Sequence, residues 1–151
     1  MPTVSSRVLE TADAETAAAL AVLLPQVSSR APFLTRERID AVLSSPGTSI
    51  VVASLDGRIV GMALLCVCET LAGRFGVVEE VAVDEAARGH HVGIELMVTV
   101  LEIGKLLGLD FVELTSRPSR VAANGLYQSL GFETRETNVY RHRLDALPAR
   151  R

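Results

Sequence analysis

The sequence predicts a mixed α/β domain whose elements run β-α-α-β-β-β-α-β-α-β about a central mixed sheet. Three observations carry this expectation. Asp56-Gly57 stands between the β-branched runs Thr48 to Val52 and Ile59 to Cys68, the pattern of a tight hairpin, so the first half ends as antiparallel sheet. From Val92 the period changes: Val92, Leu96, Val100, Ile103 and Leu107 form one stripe of a helix. The β-α-β unit over residues 75–115 then implies a parallel pair at the centre of the sheet.

In chain order, residues 5–9 read as a first short strand, and Thr11 and Asp13 offer capping chemistry for an alanine-rich helix that Pro25 stops. A second helix follows Thr35. Between the two, Ser28 to Leu34 has the composition of a loop, with Phe33 as a lid or wall residue. After the hairpin, Leu71 to Arg74 form a turn and Phe75 to Val83 a third long strand. The helix from Val92 closes at Gly108, a residue suited to a left-handed cap. Phe111 to Leu114 read as a short buried strand, Ser116 to Ser119 as a loop, and Arg120 to Leu130 as a helix ended by Gly131. Phe132 to Leu144 are expected to form a final extended segment.

Composition bounds the function. The chain has 151 residues, of which 48% are hydrophobic and 22% charged, values that fit one globular domain over residues 1–151 rather than a disordered chain. A net charge of −3 with no basic block beyond Arg150 and Arg151 argues against nucleic acid. The absence of a long apolar run or a leader-like N-terminus argues against a membrane and for the cytoplasm. Cys66 and Cys68 lie two apart on one strand face, where they fill core rather than bridge, and no His/Cys cluster predicts a metal.

The segment Arg88-Gly89-His90-His91-Val92-Gly93 lies between a strand end and a helix start. A helix N-terminus presents unpaired amide hydrogens and partial positive charge, and glycine lets a phosphate approach the backbone. That chemistry suits a pyrophosphate. A second segment, Asn124-Gly125-Leu126-Tyr127-Gln128-Ser129-Leu130-Gly131-Phe132, stands downstream at matching spacing.

Together the two segments resemble the GNAT superfamily of N-acetyltransferases, whose signature pairs an R/Q-x-x-G-x-G/A turn with a later Asn...Tyr...Gly-Phe helix end. The resemblance covers residues 48–144 in element order and is sharpest over 75–132. It implies a sheet splayed between its two central parallel strands, with acetyl-CoA in the wedge as co-substrate and no metal. It assigns cofactor contacts to Val81, Ala82 and Val83, to Arg88, Gly89, His90, His91, Val92, Gly93 and Ile94, and to Asn124 and Tyr127. His91 departs from the motif by replacing its first glycine, a change the turn tolerates if its backbone angles there are ordinary.

The chemistry so implied is attack of a primary amine on a thioester. A backbone N–H among Val81 to Val83 is expected to hold the oxyanion, and Tyr127 to protonate the departing thiolate. The amine also needs a base. Glu79 and Glu80, adjacent on a strand and so expected on opposite faces, are the candidates, with Glu79 ranked first and Glu113 on the next strand third. The segment VEEVAVDEAARGHHVG also resembles the glucosamine-phosphate acetyltransferases, a hint of a small-molecule acceptor. A protein N-terminal or lysine acetyltransferase is the second reading, and a non-catalytic acyl-CoA-binding regulatory domain the third. Tyr127 and the acidic pair argue against the last. Acceptor choice is expected to reside in Ala12 to Ser45, and a homodimer through the last strand or a free sheet edge is an arrangement common in such folds.

Overall fold

In the computed structural model, which describes residues 1–30 and 33–150, the helices begin where local chemistry satisfies their free amides. Asp13 is extended, and its carboxylate accepts the Thr16 N–H at 2.7 Å to open α1 (Ala14–Leu23). Those hydrogen bonds hold the Asp13 carboxyl below the usual carboxylate range. Thr35 opens α2 (Arg36–Ser44) in the same way, accepting from the Arg38 N–H at 3.1 Å. Pro25, which has no N–H to donate, falls where α1 gives way to a 3-10 turn over Leu24–Gln26.

Five strands form one sheet in sequence order: β1 (Val4–Val8), β2 (Thr48–Leu55), β3 (Arg58–Thr70), β4 (Gly73–Val83) and β5 (Val112–Glu113). The first four pair antiparallel and β4 pairs parallel with β5. The expected hairpin is present, with Asp56 and Gly57 both left-handed at φ 50° and 83°, the twist that suits a two-residue connection. Asp110 and Arg74 tie the start of β4 to the turn before β5: Arg74 N–H donates to the Asp110 carboxylate, and its guanidinium donates to the Leu107 carbonyl at 2.6 Å.

Alternation along the strands divides the apolar residues between two cores. Val51, Ala63, Leu65 and Val78 face α3 (Val92–Leu106) and α4 (Val121–Ser129), packing on Leu96, Met97, Val100 and Tyr127. Ile50, Val52, Met62 and Ala82 face the other way, onto Leu20 and Leu23 of α1 and Ile39 of α2. The helical stripe from Val92 is inward as far as Ile103. Leu107 is 38% exposed, because it lies past the last turn, where Gly108 at φ 71° redirects the chain. Cys66 and Cys68 are free and half-buried. They belong to one strand face, and burial pushes the Cys66 thiol up, which keeps it protonated and unreactive.

The last expected element is corrected. Residues 133–143 form no strand, and the sheet ends at β5. Two residues of β5 offer a short edge, and the apolar residues Val139 and Tyr140 are adjacent rather than alternating, so a strand here would bury neither face cleanly. Both stay exposed, at 72% and 89%. Among the described residues no helix is long and apolar enough to cross a membrane.

Candidate active site

The site is organised by one irregularity in β4. Leu64 of β3 pairs with Glu79 and Met62 with Ala82, so the single residue Ala63 opposes both Glu80 and Val81, and Glu80 takes a left-handed φ of 52°. This is a β-bulge. Its effect is legible in the cores: Val78 and Ala82, four apart, should share a face in a regular strand, yet they lie in opposite cores. The expectation that Glu79 and Glu80 point to opposite faces therefore fails. Register places Glu79 beside Leu64, on the face that α1 and α2 cover, and Glu80 lines the cavity on that same face.

That cavity, about 40 Å³, is walled by Leu20 and Leu24 of the first helical segment, by Leu34, Ile39 and Met62, and by Glu80. Arg38 is its other charged wall, whereas Glu79 is exposed. Glu113 is also exposed and, paired with Val77, shares the Glu79 face. The walls come largely from the stretch Ala12 to Ser45 that the sequence set aside for acceptor choice; Phe33 is 85% exposed and is not among them.

Ahead of the bulge, β4 and the edge strand β5 part, so the expected parallel pair lies at the edge of the sheet and not at its centre. β4 and β5 pair only at Gly76 with Val112 and Val77 with Glu113, so β4 runs on from Val78 to Val83 without a neighbour on that side. Asp84 N–H donates to Val60 on the β3 side at 2.7 Å. By alternation from Asp84 the Val83 N–H faces the opening.

The turn at the top of β4 leads into α3. Gly89 is left-handed at φ 85° with nothing near a would-be Cβ, and Arg88, Gly89, His90 and Ile94 are exposed. His91 caps α3 at φ 63°, ψ 22°, with no side-chain hydrogen bond to the helix. Its backbone angles are thus not ordinary. The position demands the left-handed region, which explains why the motif carries glycine there, and histidine occupies it at a cost. His91→Gly should raise stability by about 0.5–1 kcal/mol, the left-handed penalty less the entropy of glycine. An unchanged or lowered Tm would show that the imidazole compensates. A Cβ at Gly93 would stand 3.0 Å from the Leu126 side chain of α4, so a larger residue there makes that side chain shift.

On α4 the Tyr127 ring is 7% exposed and packs edge-on against Phe132, with centroids 5.8 Å apart. Burial raises its pKa above the ordinary value. The Asn124 amide donates to the Arg117 carbonyl at 3.0 Å, which fixes the loop between β5 and α4. In that loop the Ser116 hydroxyl is buried with no partner. A lone serine in a Ser/Pro loop gave no signal in the sequence. A buried hydroxyl without a partner costs about 1–3 kcal/mol, so Ser116→Ala should raise the urea midpoint; a drop would reveal a partner for Ser116.

The Acetyltransferase (GNAT) family model matches residues 15–132. The chain belongs to the GNAT acetyltransferase family. It is accordingly an acyltransferase, and GNAT acetyltransferases use acetyl-CoA. An acetyltransferase structure from Agrobacterium tumefaciens str. C58 superposes with TM-score 0.79 at 25% identity, covering 92% of this chain and 99% of that one. An acetyltransferase from Trypanosoma brucei gives 0.74 at 26%, covering 93% and 99%. Glucosamine-6-phosphate N-acetyltransferase from Arabidopsis thaliana gives 0.76 at 19%, covering 93% and 98%, a likeness of fold. No curated protein sequence matches the chain. The mixed sheet, with four antiparallel strands and a parallel fifth, together with four helices is the GNAT fold in this chain. Among the described residues no cluster of three His, Cys, Asp or Glu is placed to hold a metal.

Proposed function

We propose that this acetyltransferase transfers the acetyl group of acetyl-CoA to a primary amine of a small molecule, with Glu80 as the base and Tyr127 as the acid. The observation that carries the reading is the bulge, which turns Glu80 into the cavity under α1 and α2 beside the parting of β4 and β5. The cofactor's phosphates suit the free amides at the start of α3, the open space at Gly89 and the permanently charged Arg88. Acetyl-CoA, when bound, supplies an activated acyl group. The protein's own groups then divide the work. The Val83 N–H is the donor for the oxyanion. Glu80 takes the proton of an amine that, with a pKa of about 10, is mostly protonated at neutral pH. Tyr127, kept neutral by burial, holds a proton for the leaving thiolate. The Ser116 hydroxyl, costly to the free protein, is available to a polar group of the cofactor.

Thiol release from acetyl-CoA, followed with amino sugars, polyamines and N-terminal peptides, tests the reading. Acceleration by small amines supports it, and acceleration by peptides alone would transfer the activity to protein α-amines. If no amine accelerates release while calorimetry shows tight cofactor binding, the chain is a binding module instead.

A further inference from the structure

The charged side chains at the start of α2 divide by what they meet. Arg36 and Asp40 pair with each other at 3.3 Å, both largely in solvent. Arg38 instead lines the cavity under α1 and α2, in company with its neighbour Ile39 and with Val42 one turn on. Thr35 accepts the Arg38 N–H at 3.1 Å, which fixes the backbone that carries the guanidinium. A cation in the first turn of a helix meets the like partial charge of the helix end, a placement that stability alone disfavours. Helix end and guanidinium together favour an anion.

The same cavity receives Glu80, which the bulge turns in from β4. Among the described residues neither Arg38 nor Glu80 is in an ion pair, with each other or with any other group. The remaining walls are apolar, among them Leu20 and Leu24 from the first helical segment and Ile50, Met62 and Leu64 from the sheet. One cavity therefore carries a carboxylate and a guanidinium, not neutralised by each other, on an apolar lining. That arrangement is complementary to a ligand that holds both charges on a short apolar body. It also selects against other amines. The hydroxyls of a sugar would find no partners on these walls, and a polyamine would bring a second cation against Arg38.

We propose that the acceptor is a free α-amino acid with an apolar side chain: its nitrogen goes to Glu80, its carboxylate to Arg38 and its side chain to the apolar wall. The inference rests on the acetyl-transfer reading, and it adds which amine is used. The product is an N-acetyl amino acid. The new N–C bond forms as the thioester C–S bond breaks, Glu80 takes the proton of the nitrogen, and Tyr127 protonates the thiolate. A planar guanidinium can take both oxygens of a carboxylate at once. Arg38 thereby sets the choice between a free amino acid and the N-terminal residue of a peptide, which has a neutral amide in place of the carboxylate.

The experiment compares alanine, valine, leucine and methionine with their amides by thiol release from acetyl-CoA, in wild type, Arg38→Ala and Arg38→Lys. Wild type should favour the amino acid over its amide by about ten- to a hundredfold in kcat/KM, the worth of one charge-assisted pair. That order runs against intrinsic reactivity. Without a neighbouring carboxylate the amine of the amide is less basic and more often neutral, so an enzyme indifferent to the carboxylate would favour the amide. In Arg38→Ala the preference should vanish or reverse, through KM, and Arg38→Lys, which keeps the charge without the fork, should retain part of it. Both rates are read in one variant, so a partly unfolded sample lowers them together and leaves their ratio intact. Serine and aspartate should trail the apolar amino acids in wild type. An amide used as well as its acid, a preference that survives Arg38→Ala, or serine used as well as leucine would overturn the proposal. So would thiol release with amino sugars or polyamines when none of the amino acids is used. If no amine of any class releases thiol, the acetyl-transfer reading is what has failed. Thermal stabilisation by leucine then decides the cavity alone: a shift that Arg38→Ala loses supports the amino-acid site, and no shift in wild type overturns it.

Discussion

Tyr127→Phe should lower kcat by about 10²–10⁴-fold while leaving the affinity for acetyl-CoA almost unchanged. The ring is buried and rests edge-on against Phe132, and phenylalanine reproduces that packing, so the substitution removes the hydroxyl and little else. A thiolate with an ordinary pKa of about 8.5 leaves more easily when a group that is still protonated stands beside it. Burial raises the Tyr127 pKa, which keeps the phenol neutral at every pH below its ordinary value of 10. The alkaline limb of the rate profile that reports this acid therefore lies above 10. The same shift has a stability consequence. Because the folded-state pKa is the higher one, the contribution of Tyr127 is fully present below the unfolded value and is lost as pH rises through the folded value. Thermal unfolding followed upward from about pH 10, a tyrosine's ordinary pKa, should show a decline that Tyr127→Phe removes. Near-normal turnover in the variant would take Tyr127 out of the mechanism.

Much of the fold was readable because it follows local rules that act within a few residues. Asp13 and Thr35 cap helices through their own side chains, Asp56-Gly57 dictates its turn, and the stripe from Val92 to Ile103 can bury only one face. What was not readable depends on partners distant in sequence. The tail after Phe132 has the composition of an extended segment, but a strand needs an edge, and β5 supplies two residues. The bulge at Glu80 was invisible for a related reason. Nothing within FGVVEEVAV marks which residue is extra; the mark is that Val78 pairs with Leu65 and Ala82 with Met62, and those partners lie in opposite cores. With Glu80 left-handed, Glu79 is exposed and Glu80 enters the cavity, and that placement is why the proposed mechanism takes Glu80 as the base. The turn motif fared differently. Arg88 to Gly93 lie between the end of β4 and the start of α3, as local pattern indicates, and the backbone angle of His91 shows that the missing glycine matters to the conformation.

The proposed choice of Glu80 over Glu79 leads to the sharpest test of the mechanism. Glu80→Gln should reduce kcat/KM at neutral pH by about 10²–10⁴-fold, the usual contribution of a placed general base, whereas Glu79→Gln should leave it near wild type. Glutamine keeps the size and hydrogen-bonding reach of the side chain, so cavity shape and the left-handed backbone are unchanged and the proton acceptor alone is lost. A structural role and a catalytic one then part company on pH. An amine with a pKa near 10.4 is about one part in a thousand neutral at pH 7 or slightly above, and that fraction grows tenfold with each pH unit until the pKa is reached. An enzyme without its base can use only amine that is already neutral. The deficit of Glu80→Gln should therefore shrink as pH rises toward the pKa of the acceptor, and it should be smaller for acceptors whose amines are weaker bases. A merely structural defect would persist at every pH and for every amine. If instead Glu79→Gln carries the large loss and its pH recovery, the base is Glu79, reaching the amine from the exposed side of the bulge, and the cavity under α1 and α2 serves binding alone.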